Sequence, residues 1–179
     1  IVTITPDGYS VINFDGTAAQ LGADRVTFDL DADGVAEDMP FVSAGNGLLV
    51  LDLDRFKPVN DTHGHGTGDA LLRAFAQRLT HTMRATDIIA RLGGDEFTII
   101  MEQITRPEDA AVLAEKIVAA MQQPFELDGI TVRISASIGL AFYRDEDISP
   151  AVLLQRADVL LYKAKQDGRN TYRAGALTA

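Results

Sequence analysis

Cysteine is absent, which excludes a disulfide scaffold, a thiol nucleophile and any cysteine-ligated zinc or iron–sulfur site. No stretch approaches the roughly 18 uninterrupted apolar residues of a membrane-spanning helix. A basic segment followed by an apolar run is also lacking at the start, so the first residues do not read as a signal peptide. Opening on Ile1, the chain reads as a piece of something longer. There is no long basic stripe, which disfavours a broad surface tracking the phosphates of DNA or RNA. A small anionic ligand remains compatible, provided metal ions and a few placed cations hold it.

What is present is a chain of 179 residues, 46% hydrophobic and 23% charged, enough for one domain with a packed core. Its net charge of −10 is unevenly spread. Residues 1–50 hold eight acids against Arg25 alone, a net of −7, while residues 51–179 hold eighteen acids and fifteen bases, a net of −3. Such asymmetry suggests two parts with different jobs.

Along the chain, Pro6-Asp7-Gly8 is a turn signal between two short runs of strand formers. Gly47 to Leu53 is an apolar run of buried-strand length that ends in carboxylates. Helical periodicity is weak until Asp69; then Leu71, Phe75, Leu79 and Met83 recur every four residues. Two apolar runs bracket Gly93-Gly94-Asp95-Glu96 and predict a hairpin. A second helix is expected from Pro107 through Met121, a long strand over Ile130–Tyr143, and a last helix from Pro150 to a stop at Gly168. The order from residue 48 is β-α-β-β-α-β-β-α-β, an α+β arrangement of ferredoxin-like, cyclase-type character. It implies a central, mainly antiparallel sheet flanked by helices, preceded by an atypical β-rich segment.

The chemistry centres on Asp52-Leu53-Asp54 at a strand end and Asp95-Glu96 at a hairpin tip. If adjacent, the two acidic points make an oxygen-rich site suited to Mg²⁺ or Mn²⁺; otherwise they are solvated turn acids. The run Leu51-Asp52-Leu53-Asp54-Arg55-Phe56-Lys57-Pro58-Val59-Asn60-Asp61 through Gly68-Asp69, then Arg91-Leu92-Gly93-Gly94-Asp95-Glu96-Phe97, resembles the GGDEF family of diguanylate cyclases. Ile134 through Gly139, and Ala157-Asp158 through Tyr162-Lys163-Ala164-Lys165 to Arg169-Asn170, match later signatures of that family in register.

The resemblance implies joining two GTP molecules into cyclic di-GMP, with release of pyrophosphate, by a homodimer whose sites meet face to face. It makes Asp52, Asp95 and the Leu53 carbonyl metal ligands, and Glu96 a second catalytic acid near the metal. Lys57 joins Asp95 and Glu96 in the catalytic set. Asn60 and Asp69 resemble guanine readers, since an amide and a carboxylate together match the edge that distinguishes guanine from adenine; Asp69 otherwise reads as a helix N-cap. Lys165 and Arg169 resemble a phosphate clamp, assisted by the backbone around Phe56, and otherwise read as cations at a helix C-terminus. Gly94 lets nucleotide approach the hairpin closely. His63 and His65 belong to the turn before the helix rather than to a hard-oxygen metal site. Arg84 and Asp87 stand at the spacing of the family's inhibitory product site, or form a helix-end salt bridge. The resemblance also implies a cytoplasmic bacterial signalling enzyme that binds GTP and cyclic di-GMP and contacts no nucleic acid.

Residues 1–47 lack the segment and helix that usually precede the strand ending in Asp52. There, Asp29, Asp31 and Asp33 alternate before Gly34, with Glu37 beyond, and this resembles calcium-binding DxDxDG segments of secreted repeat proteins. Those four acids with the Val35 carbonyl would converge on one Ca²⁺; the alternative is an acidic loop. The chain thus divides into an acidic β/turn segment (1–47), a catalytic part (48–173) and a tail (174–179). Two other functions stay in view: a catalytically silent sensor of cyclic di-GMP, and a calcium-binding interaction module.

Overall fold

The apolar run forms β5 (Asn46–Asp54), and in the computed structural model both of its faces are covered. The structure describes residues 2–5, 8–11, 29–30, 36–37, 46–101, 104, 106–143 and 150–176. Leu49, Leu51 and Leu53 pack with Leu71, Phe75 and Ile117, whereas Leu48 and Val50 pack with Leu153, Ala157 and Leu161. A strand buried on both faces carries no polar alternation, hence the continuous run.

Around it lie β6 (Ile88–Gly93), β7 (Glu96–Met101), β10 (Ser135–Tyr143) and β11 (Tyr172–Ala176). Near the N-terminus, β1 (Val2–Thr5) and β2 (Gly8–Val11) complete a seven-stranded sheet in the order β11-β10-β5-β7-β6-β1-β2. Neighbours run antiparallel except β10–β11 and β1–β6. Helices α2 (His65–Thr82) and α3 (Pro107–Met121) bury their apolar stripes against one face, and α4 (Pro150–Gln166) covers the other. This is the α+β, cyclase-type architecture that the sequence implied. No described helix is long and apolar enough to cross a membrane.

Two local expectations are corrected. Helix begins well before Asp69: α1 (Phe56–His63) and α2 meet at Gly64, whose φ of 83° breaks the run. Among the residues of α1 only Phe56 is buried, so no periodicity betrays that helix. His63 and His65 are accordingly helical ends, not turn residues. The stretch Ile130–Tyr143 is not one strand. Ile130–Val132 is β9, which pairs with β8 (Phe125–Leu127) across Asp128-Gly129, and the chain leaves sheet geometry at Arg133-Ile134 before β10 begins. Asp128 and Gly129 both have positive φ, as a tight Asp-Gly hairpin requires.

The hairpin expected around Pro6-Asp7-Gly8 exists, and β1 adds parallel to the edge of β6, with Val2 opposite Ala90 and Thr3 opposite Arg91. Further on, β3 (Asp29–Leu30) and β4 (Ala36–Glu37) pair with Asp29 opposite Glu37. Asp31, Asp33 and the Val35 carbonyl, proposed calcium ligands, lie outside the described residues.

Candidate active site

Pairing of β5 with β7 fixes the two acidic points side by side. Asp52 stands opposite Glu96 in the register, and the Leu53 N–H donates to the Asp95 carbonyl at 3.3 Å. The hairpin tip holds its shape through Gly94, at φ 53°, and through Arg91, whose Nε and Nη2 both donate to the Gly94 carbonyl at 2.9 and 2.6 Å. A side chain at position 94 would strain this left-handed backbone.

From the far side of the sheet, α4 delivers Lys165, whose Nζ lies 2.7 Å from Asp52 Oδ2. The pair is largely buried, with 29% of the lysine and 14% of the aspartate side chain exposed. Lys165 is therefore no solvated helix end. It lines a cavity of about 250 Å³ together with Glu96, Asp158 and Tyr162. Burial pushes the Asp52 carboxyl up despite the Lys165 hydrogen bond and charge that pull it down, and Asp95 and Asp54 raise it further. Partial desolvation raises Glu96 too, with the Asp52 charge adding to it, while burial raises Asp158. Asp52, Glu96 and Asp158 thus share one lysine and are short of positive charge.

Among the described residues no three His, Asp or Glu side chains form a ready cage for a metal. The donor set nevertheless fits a hard divalent cation. Mg²⁺ takes one or two carboxylates and completes its shell from water and substrate phosphate, so strand-end acids suffice. The ammonium already resting on Asp52 shows that the carboxylate accepts a cation.

Other expected residues fall in three places. Asn60 is half-buried on α1, and its Oδ1 occupies the space beside Gly68, where an added Cβ would lie 1.8 Å away. Asp69 follows Gly68 inside α2, exposed, and lines a 110 Å³ pocket with Arg73, Arg91 and Phe97. Because the residue capping α2 is Gly64, the N-cap reading of Asp69 is overturned. The Phe56 side chain belongs to the core, and Lys57 is exposed on the first turn of α1. Arg169 is exposed and lines a separate cleft, so Lys165 and Arg169 do not line one cavity.

Arg84 and Asp87 do come together, though not as a side-chain ion pair. The Arg84 N–H donates to Asp87 Oδ2 at 3.0 Å, and the Asp87 N–H returns to the Arg84 carbonyl at 3.1 Å. Asp87 Oδ1 is buried without a partner among the described residues, and burial raises that carboxyl. The Arg84 side chain makes no ion pair with a described residue, and the residue is exposed.

Two residues named within the motifs take roles that sequence reasoning did not assign. Asp54 is structural: its carboxylate accepts from the Ser135 and Ser137 hydroxyls, both at 2.7 Å, and from the Asn170 N–H at 3.0 Å. Strand alternation, which puts 52 and 54 on one face, was the available signal. Asp158 precedes Lys165 by two helical turns, a spacing that puts both on the same face of α4.

A family model described as "Diguanylate cyclase, GGDEF domain" matches residues 37–171. The bifunctional diguanylate cyclase/cyclic di-GMP phosphodiesterase MucR of Pseudomonas aeruginosa is 49% identical over 125 residues, covering 70% of this chain and 18% of MucR. Diguanylate cyclase TpbB of the same species is 42% identical over 131 residues, covering 73% of this chain and 30% of TpbB. The chain thus spans under a third of these relatives' length. The crystal structure of the GGDEF domain of TpbB superposes with a TM-score of 0.71 at 40% identity, covering 75% of this chain and 84% of that one. The GGDEF domain of DgcB from Caulobacter crescentus, solved with c-di-GMP, gives 0.67 at 32% identity, covering 73% and 77%. With the acids of β5 and the β6–β7 hairpin set side by side in this fold, the chain belongs to the GGDEF, diguanylate cyclase family.

Proposed function

We propose that this domain condenses two GTP molecules into cyclic di-GMP, releasing two pyrophosphates, with one GTP held by each protomer of a homodimer. The observation that carries this reading is the junction of Asp52, Glu96 and Lys165 at the ends of β5, β7 and α4. Asp52, Asp95 and the Leu53 carbonyl, with Glu96 beside them, would hold Mg²⁺ or Mn²⁺. That ion, when bound, neutralises phosphate charge and lowers the pKa of a hydroxyl.

The residues divide the remaining work. Glu96, raised by partial desolvation and by Asp52, takes the proton of the attacking 3′-hydroxyl. The 3′-oxygen then bonds to the α-phosphorus of the facing GTP, and the bond to the β-phosphate oxygen breaks. Lys165 and Arg169 hold phosphate, with Lys57 and the Phe56 main chain at the start of α1, and Gly94 allows close approach. Asn60 and Asp69 read the guanine edge; the contact of Asn60 with Gly68, the neighbour of Asp69, supports their acting together. Arg84 presents a fork beside Asp87 that pairs with no described residue, and it binds product away from the reaction.

Acids on paired strands with a lysine against them favour a working enzyme over a silent sensor. For the N-terminal segment, the Asp29–Glu37 pairing supports convergence of Asp29, Asp31, Asp33 and Glu37 on Ca²⁺. The cytoplasm, where GTP is made available, is the compartment we assign. Nucleotide selectivity tests the site: wild type should turn over GTP and not ATP, and Asn60→Ala should erode that preference about tenfold or more. Equal turnover of ATP by wild type would defeat the reading.

A further inference from the structure

A cleft of about 690 Å³ opens beyond the end of β5, walled by α1, by the β9–β10 connection and by the loop after α4. Arg55, Arg133 and Arg169 line it, with His63 beside them. All three arginines are exposed, and none of their side chains makes an ion pair with a described residue. Among the described residues the only acid in the lining is Asp54, whose carboxylate is already taken by Ser135, Ser137 and the Asn170 N–H. In a chain of net charge −10, three guanidinium groups around one opening, none paired with a described residue, are not explained by packing.

The backbone points the same way. Four non-glycine residues among those described have positive φ, and three of them, Arg55 at 63°, Arg169 at 67° and Asn170 at 49°, stand on this wall. Left-handed backbone is disfavoured for a residue with a Cβ and collects where function demands it. Asp54 lies two residues beyond Asp52 on the same face of β5, a step of about 7 Å along a strand. The cleft therefore begins where a group leaving the metal-side acids would arrive.

We propose that this cleft seats inorganic pyrophosphate, and that Arg133 is its anchor. The inference rests on the GTP reading above, in which attack on the α-phosphorus sends the electron pair of the broken bond to the β-phosphate oxygen. The diphosphate leaves with that added charge, and planar guanidinium forks match its oxygens in pairs. Arg133 sits at the break between β9 and β10, which gives that irregular connection a purpose.

Calorimetric titration of the full chain with inorganic pyrophosphate, without nucleotide, tests this independently of turnover. Wild type should bind, Arg133→Ala should weaken binding by about tenfold or more, and Arg133→Lys should fall between. Arg133 is exposed, so these variants keep the fold. GTP titrated in EDTA, where no reaction proceeds, is the second probe, and the Arg133→Ala loss should be smaller for it. Equal losses for both probes would overturn the assignment in favour of a triphosphate seat. Absence of binding to wild type, or unchanged affinity in Arg133→Ala and in Arg55→Ala/Arg133→Ala, would also overturn it. Pyrophosphate bound through Arg133 by a chain that makes no cyclic di-GMP would uphold the cleft and defeat the cyclase reading. Active enzyme with Arg133-independent pyrophosphate affinity would do the reverse.

Discussion

The Lys165 ammonium lies 2.7 Å from Asp52 Oδ2 and ties the end of α4 to the end of β5. Among the described residues it is the one cation that Asp52, Glu96 and Asp158 all feel. Removing it in Lys165→Gln leaves a partly buried acidic cluster that repels substrate phosphate. We expect kcat/KM for GTP to fall by about tenfold to a hundredfold, the loss of a charge-assisted contact or two. Steady-state kinetics checks this; an unchanged kcat/KM would remove Lys165 from the site.

Gly68 and Asn60 offer a cleaner separation of function from stability. An added Cβ at 68 would sit 1.8 Å from Asn60 Oδ1, the flexible end of a side chain, so the amide must move. Alanine is favoured over glycine within a helix by about 1 kcal/mol. Gly68→Ala should therefore fold normally while raising KM for GTP about tenfold. A KM equal to that of wild type would show that the amide position is irrelevant to guanine.

At Gly139 the obstruction is backbone. A Cβ there would lie 1.9 Å from the Ala157 carbonyl oxygen and 2.4 Å from the Leu161 nitrogen, so α4 itself must lift from β10. Gly139→Ala should destabilise by about 3 kcal/mol or more, read by denaturant unfolding. A loss under about 1 kcal/mol would mean that α4 is seated more loosely than described.

Asp87 carries a pH dependence. Its folded pKa is raised above 3.8 by burial, ahead of the opposing pull from Arg84. The folded state thus holds the proton more tightly than the unfolded one, so stability falls as pH rises from 3.8 through the raised value and stays reduced at neutrality. Asp87→Asn can keep an oxygen for the Arg84 N–H and removes the charge. We expect its melting temperature at pH 7 to exceed wild type by about 1–2 °C, with the gain vanishing below the unfolded pKa. A pH-independent difference would contradict this origin.

Much of this was legible beforehand, for identifiable reasons. Strand β5, its acids and the glycine hairpin were visible because a doubly buried strand and a tight turn constrain residue choice over short distances. Helix α1 was not, since a short helix that buries Phe56 alone leaves no periodic trace. Nor was the break at Arg133-Ile134, where two strands belonging to different sheets abut without a glycine or proline to mark the change. In the site, the acids declared themselves locally, but Lys165 lies 113 positions after Asp52, and only packing of α4 on the sheet reveals that they touch. Arg78 was equally silent: its guanidinium stacks 3.5 Å from the centroid of the Phe125 ring and donates to the Ala120 and Pro124 carbonyls, a tertiary contact that no local pattern encodes.

In the proposed reaction the paired ends of β5 and β7 catalyse the condensation of GTP. Chromatography of the products formed from GTP and Mg²⁺ by wild type and by Asp95→Ala tests it most directly. We expect cyclic di-GMP from wild type and a loss of about a hundredfold or more in Asp95→Ala, because metal-positioned charge stabilisation is worth several kcal/mol. Cyclic di-GMP formed at the wild-type rate by Asp95→Ala, or none formed by wild type, would contradict it.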